Sequence, residues 1–110
     1  MSNANSSATA LRLNKLSKLY EQGGASEVTA RALDKVLAFE AEITRQKLAE
    51  IRADLAELAQ RYQLSSELFY QRFQAGETDD RMDYVEWASL IQMADRLQQR
   101  LNLLVSEEAA

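Results

Sequence analysis

The chain has 110 residues, a formal net charge of −4, and no proline, cysteine or histidine. This length suits one domain, and a composition that is 46% hydrophobic and 27% charged is typical of a globular protein rather than a disordered one. The lack of Cys and His excludes disulfides, thiolate metal sites and an imidazole general base. No apolar run approaches the roughly 18 residues of a membrane span, and no signal peptide is visible, so we expect a cytoplasmic protein with no membrane partner.

The N-terminal segment divides into a polar stretch and a short helix. Residues 1–10 have little apolar surface to offset their ordering entropy, so we expect a disordered tail. A helix is predicted over about 10–22, where leucines fall near helical spacing, and Gly23 and Gly24 end it. Residues 11–110 are therefore predicted to form a single helical domain.

The middle of the chain predicts one long helix. Ser26 is a suitable N-cap, and no helix breaker follows it for about ten turns. From Leu48 to Tyr62, apolar residues recur at steps of 3, 4, 3 and 4, the spacing of a coiled-coil seam. We predict a helix from Glu27 to about Tyr62, roughly 35 residues and about 50 Å long. A helix of this length does not fit a compact ball, so the sequence predicts a hairpin or an elongated bundle.

The last third predicts two further helices. Ser65 is an expected N-cap for a short helix over 66–74, and Gly76 is its stop signal. In the final helix, apolar residues from Trp87 to Leu104 step by 3, 4, 3, 4 and 3. Two leucine seams joined by a short helix are typical of antiparallel packing at a crossing angle near 20°. The predicted fold is all-α: a long antiparallel, coiled-coil-like helical hairpin with a short N-terminal helix and a short linking helix.

Four acidic residues around the start of the final helix have two explanations. Glu77, Asp79, Asp80 and Asp83 could supply the oxygen ligands that Ca²⁺ or Mg²⁺ prefers. Their spacing lacks the alternation of a calcium loop, however, and a helix N-terminus favours negative charge by itself. We therefore expect no metal site and no other cofactor.

The sequence also lacks an activated nucleophile. Ser65 and Ser66 are the only serines in a suggestive setting, and no His or nearby Lys is present to deprotonate them. Helix capping explains Ser65 better. We expect no catalytic residue, so the chain is predicted not to be an enzyme.

Aromatic residues crowd the region between the two long helices. One interpretation places Phe69 and Phe73 in the core at the closed end of the hairpin. Because a small turn cannot bury so many rings, we expect Tyr70, Arg72 and Trp87 to form an exposed patch, since Trp, Tyr and Arg are the usual anchors of protein interfaces. With the acids, the predicted partner-binding residues are Phe69, Tyr70, Arg72, Phe73, Asp79, Asp80, Asp83, Tyr84 and Trp87.

The charge balance of the C-terminal part limits the kinds of partner. Residues 65–110 carry four Arg against nine acids. This argues against direct binding of nucleic acid, because phosphate neutralisation supplies most of such affinity. It is compatible with a basic protein partner, whose association charge complementarity accelerates, and equally with an ordinary solvated surface.

The region from Tyr62 onward contains a recognisable run of residues. It reads Y-x-L-S-S-E-x-F-Y-x-R-F-x-A-G-E, followed by acids and then E-W-A-S-L. This run resembles a group of small helical bacterial proteins, common in cyanobacteria, whose genes typically lie beside a toxin gene. The segment from Lys15 to Leu37, K-L-x-x-L-Y-x-Q-G followed by A-L-D-K-V-L, is similar to the same group. Where that family often has Gly at the end of the long helix, this chain has Gln63.

The resemblance implies an antitoxin of a type II toxin–antitoxin pair. It carries over no catalytic residue, but marks Phe69, Tyr70, Arg72, Phe73 and Trp87 as motif positions. The first hypothesis is accordingly a non-enzymatic antitoxin that masks a small basic cognate toxin, a ribonuclease, with its acids and aromatics. The second hypothesis is a structural homodimer or scaffold that associates through the leucine seams.

Overall fold

The computed structural model describes residues 2–106, and the side chains of residues 6–106. Over this range the chain forms four α-helices and no strand: α1 (Ser2–Glu21), α2 (Glu27–Arg61), α3 (Ser66–Gln74) and α4 (Met82–Val105). The predicted all-α class is confirmed, and α2 packs on α4 in a hairpin-like arrangement. Within this range, no helix has both the length and the apolar character needed to cross a membrane.

The chain divides into two units, Met1–Val36 and Leu37–Ala110, which are described separately. The boundary falls inside α2. The prediction of a single domain over residues 11–110 stays a prediction. The hairpin and the aromatic residues discussed below all belong to the second unit.

Helix α1 begins earlier than the sequence predicted. It starts at Ser2, whereas the argument from apolar surface placed the start near residue 10. Three of residues 2–10 are alanine and the other six are the weaker helix formers Ser, Asn and Thr, so helix propensity alone does not explain the early start. Disorder of residues 1–10 in solution stays a prediction. Residue 1 of that tail lies outside the described residues. At the other end, Gly23 takes a φ of +74°, which confirms the predicted glycine stop.

Helix α2 has the predicted bounds to within a residue. At its start, the Ser26 hydroxyl accepts a hydrogen bond from the Thr29 backbone N–H at 3.2 Å, as expected of an N-cap. At its end, the Leu64 N–H donates to the Ala59 carbonyl at 3.0 Å, which is the long bond of a Schellman motif. Gln63 lies in the left-handed region with a φ of 52°. This residue therefore adopts a backbone conformation that favours glycine.

Helix α3 also matches the prediction, and α4 begins after the first three of the four acids, Glu77, Asp79 and Asp80. The Ser65 hydroxyl caps α3 by accepting the Leu68 N–H at 3.2 Å, and Gly76 follows the helix with a φ of +74°. The N-cap of α4 is Arg81, which makes no side-chain capping bond. Asp79, one of the four acids near the start of the final helix, accepts the Arg81 backbone N–H at 3.0 Å and so shapes the turn.

The α2–α4 seam is the core of the hairpin. Leu48, Ile51 and Leu97 form a buried cluster, and the neighbouring leucines of both predicted seams pack around it. Arg52 on α2 donates a hydrogen bond to Gln98 on α4, which fixes the register of the antiparallel pair. The predicted contact between residues 45–62 and 87–104 is confirmed.

The buried face of α2 also includes a polar residue that the apolar pattern missed. Thr44 is buried, and its hydroxyl donates to the Glu40 carbonyl at 2.8 Å. Because this bond satisfies the hydroxyl within the helix, Thr44 can occupy a core position. It continues the seam one step N-terminal to Leu48, at the same heptad spacing.

Candidate functional site

Helices α3 and α4 and the end of α2 meet at the closed end of the hairpin and bring six aromatic side chains together. Five of them are linked by ring contacts through Phe69 or Trp87, whereas the ring of Tyr70 contacts that of Phe73. We call these five the aromatic core; its members are Tyr62, Phe69, Phe73, Tyr84 and Trp87. Trp87 and Phe69 have exposed fractions of 0% and 1%. Their rings stack with centroids 4.0 Å apart and planes 3° from parallel. The group therefore packs as the interior of the junction between the three helices.

The polar atom of Trp87 is satisfied inside this interior. The indole N–H donates to the Ser66 hydroxyl at 2.9 Å. No buried side-chain nitrogen or oxygen among the described residues lacks a hydrogen-bond partner. The prediction that Trp87 belongs to an exposed patch is wrong, because α3 supplies both a stacking ring and a hydrogen-bond acceptor for it. The core interpretation of Phe69 is confirmed.

The other motif residues are more accessible. Tyr70 and Phe73 are half-buried, with ring centroids 6.5 Å apart, and Arg72 is exposed. The Tyr70 hydroxyl accepts a hydrogen bond from the Gln92 side-chain amide on α4 at 3.1 Å. Tyr70 thus links α3 to α4 through its hydroxyl, and part of its side chain remains exposed to solvent. Of the predicted patch, Tyr70 and Arg72 remain at the surface.

Two of the four acids near the start of α4 are held by partners within the chain. Asp83 accepts hydrogen bonds from the Tyr62 hydroxyl and, at 3.0 Å, from the Arg61 guanidinium. The bond from Tyr62 and then the bond from Arg61 lower the pKa of Asp83 below its ordinary value. Asp83 is therefore a structural link between the end of α2 and the start of α4, rather than a free negative charge.

Asp79 is neutralised in a similar way. Its carboxylate lies 2.8 Å from the Arg81 guanidinium, and the hydrogen bonds from Arg81 lower the pKa of Asp79. The same guanidinium lies 4.6 Å from the centroid of the Tyr84 ring, within cation–π range. Glu77 and Asp80 are exposed and form no ion pair with other residues in the described range. The acidic surface is thus smaller than the sequence predicted.

An exposed methionine beside these acids was missed at the level of sequence. Met82, the first residue of α4, has an exposed fraction of 79%. At about 100° per residue, it lies on the same flank of α4 as the seam residue Leu97, fifteen residues further on. Helical spacing alone therefore gave no signal of its exposure. Met82 and the two unpaired acids form a surface that we call the acidic tip, consisting of Glu77, Asp80 and Met82.

No group of three or more Asp, Glu, His or Cys side chains that could hold a metal ion occurs in the part of the chain that the structure describes. The most exposed large apolar side chain of the closed end is Met82, which is close in sequence to the two acids Glu77 and Asp80 that form no ion pair among the described residues. No family model, curated protein or solved structure matches the chain.

Proposed function

We propose that this chain is a non-enzymatic protein-binding module, the antitoxin of a toxin–antitoxin pair, and that it contacts a small basic toxin through the acidic tip. The runs over residues 15–37 and 62–90 carry the resemblance to antitoxin-like proteins, which covers most of the chain after residue 10. The single observation that carries the location is Met82, a large apolar side chain exposed beside acids that have no partner in the described residues. An apolar anchor with a charged surround is typical of a protein interface.

The aromatic core has a supporting role in this proposal. The stacked rings of Phe69 and Trp87 fix α3 and the start of α4 relative to each other. The Asp79–Arg81 pair and the glycine stop at Gly76 fix the turn between those helices. A surface that is already rigid before binding loses less conformational entropy when its partner arrives. The motif residues would therefore act by shaping the tip, with Tyr70 and Arg72 at its edge.

Co-expression with the product of the adjacent gene tests the function. We expect the neighbouring product to be toxic alone, neutralised by this chain, and co-purified with it. If that product is harmless alone and does not co-purify, the proposed function fails. A ribonuclease activity in the free neighbour that disappears in the complex would identify the class of toxin.

Two substitutions test the location of the contact. Met82→Glu should weaken co-purification without unfolding the chain, since Glu is favourable in the first turn of a helix. Val28→Glu is a matched control, because Val28 is 76% exposed in the first turn of α2. If both variants neutralise the toxin as well as the wild type does, the contact lies elsewhere, although the antitoxin function would stand.

The alternative of a homodimer through the leucine seams has no support from the packing. Leu48 and Leu97, central residues of the two seams, bury their side chains against each other's helix within one chain. Because these side chains are already largely covered within one chain, the seams alone offer little apolar area to a second copy. Self-association would have to add surface beside the seam.

A further inference from the structure

A groove on one side of the α2–α4 seam is left uncovered by the rest of the second unit. Its volume is about 880 Å³, and its apolar lining includes Ile51, Leu90 and Leu97, with Ala53 and Met93 at the sides. Ala53 and Met93 are both exposed. We call this surface the side groove. Small and flexible apolar residues at its edges allow another helix to approach closely.

The two edges of the side groove carry opposite charge. Glu50 and Asp54 stand on the α2 edge, and Arg96 and Arg100 stand on the α4 edge. Each pair has the i, i+4 spacing at which like charges repel each other on a helix. Lys47, three residues before Glu50, offsets only part of the acidic edge. None of these five side chains forms an ion pair with any residue in the described range.

The register of the hairpin places these charges at matching heights. Arg52 contacts Gln98, and the two helices are antiparallel. Two residues before Arg52 on α2 therefore lie level with two residues after Gln98 on α4, which places Glu50 level with Arg100. In the opposite direction, Asp54 lies level with Arg96. The acidic and basic pairs thus occupy the same two levels along the hairpin axis.

We propose that the side groove is occupied by a second copy of this chain. A two-fold axis parallel to the helices places α2 of each copy opposite α4 of the other at an unchanged height. Glu50 then faces Arg100 of the second copy, and Asp54 faces Arg96 of the second copy. Each acidic pair therefore lies opposite a basic pair across the interface. Each helix of the resulting four-helix bundle is antiparallel to both neighbours, and the interface is self-complementary.

Charge also selects this arrangement over the other face-to-face dimer. A two-fold axis perpendicular to the helices would place α2 opposite α2, with acids against acids, and α4 opposite α4, with arginines against arginines. The apolar surface extends the favoured contact, because Leu103, 72% exposed, lies on the same side of α4 as Arg96. In the proposed dimer, Leu103 lies at the level of Lys47 of the second copy, and the aliphatic part of that lysine can cover it.

A charge-swap experiment tests the proposal. The variant Glu50→Lys/Asp54→Lys and the variant Arg96→Glu/Arg100→Glu should each self-associate at least about tenfold more weakly than the wild type, because each places like charges across the interface. An equimolar mixture of the two should form a heterodimer, since acidic and basic edges are then complementary at both contacts. Sedimentation equilibrium measures both results against a monomer mass of 12.4 kDa.

The mixture separates contacts between chains from contacts within one chain. If these residues act only within a chain, mixing two separately folded variants restores no dimer, and the proposal is overturned. A wild type that stays monomeric at all concentrations also overturns it, and leaves the groove to another occupant. A wild-type dimer that both variants retain places the interface elsewhere and contradicts the proposal equally. Circular dichroism confirms that each variant is folded before it is compared.

Discussion

Replacing Phe69 by alanine tests the aromatic core most sharply. The Phe69 side chain is fully buried, stacks on Trp87, and has the rings of Phe73 and Tyr84 with centroids 5.7 and 5.3 Å away. Phe-to-Ala changes in protein cores cost about 3–5 kcal/mol. Because the stacked pair adds about 0.5–1.5 kcal/mol beyond area burial, we expect a loss of about 4 kcal/mol.

Urea denaturation measures this loss, and the chain supplies its own probe. Trp87 is the single tryptophan and lies against the substituted ring, so its fluorescence reports the unfolding of the closed end. With an m-value of about 1–1.5 kcal/mol/M for a domain of this size, the urea midpoint should fall by about 3 M. In a marginally stable domain such a loss removes most of the folding free energy.

The neighbouring Leu68 provides the control. It belongs to the same helix, and its side chain is 40% exposed. Leu68→Ala should therefore cost no more than about 1 kcal/mol. If the Phe69 and Leu68 variants lose similar stability, or if the Phe69 variant loses less than about 1 kcal/mol, the stacked core is not what holds α3 in place.

Four further substitutions test separate parts of the account. Leu97→Asp should abolish cooperative thermal unfolding, because it places an unpaired charge in the seam, and an unchanged melting curve would mean that Leu97 is exposed. Asp83→Asn should lower the urea midpoint at pH 7. Because the hydrogen bonds from Tyr62 and Arg61 lower the pKa of Asp83, this difference should be complete above the ordinary pKa of about 4 and should shrink as the pH falls through the lower folded-state pKa; a difference that does not shrink on acidification would contradict the assignment. Gln63→Gly should raise stability by about 0.5 kcal/mol by relieving a positive φ, whereas a lower melting temperature would show no strain there. Tyr70→Ala should weaken co-purification of the partner more than it lowers the melting temperature, and the reverse order would make Tyr70 a core residue.

The helices of the second unit were predictable because their signals are local. The heptad spacing of α2 and α4 gave the seam, and the serine and glycine at either end of α3 gave its bounds. The start of α4 was less predictable, because Asp79 bonds Arg81 across the turn instead of capping the helix. Sequence spacing shows that a cap residue is present, but the three-dimensional turn decides which N–H it accepts.

The candidate site was less predictable than the fold, because it depends on contacts between residues far apart in sequence. The burial of Trp87 follows from a ring and a hydroxyl on α3, both supplied from about twenty residues away. The carboxylate of Asp83 is paired with Arg61 and Tyr62 at the end of α2 for the same reason. The exposure of Met82 was likewise not contained in the helical spacing, because Met82 lies on the same flank of α4 as the buried Leu97.

Contact between Ile51 and Leu97 is the most direct test of the hairpin that positions every surface discussed above. Methyl–methyl nuclear Overhauser effects can be recorded on a uniformly labelled sample and on a mixture of labelled and unlabelled chains. Because these residues share one buried cluster, we predict a strong Ile51–Leu97 signal that arises within a single chain. The absence of that signal in a folded, helical sample, or its origin between two chains, would contradict the account.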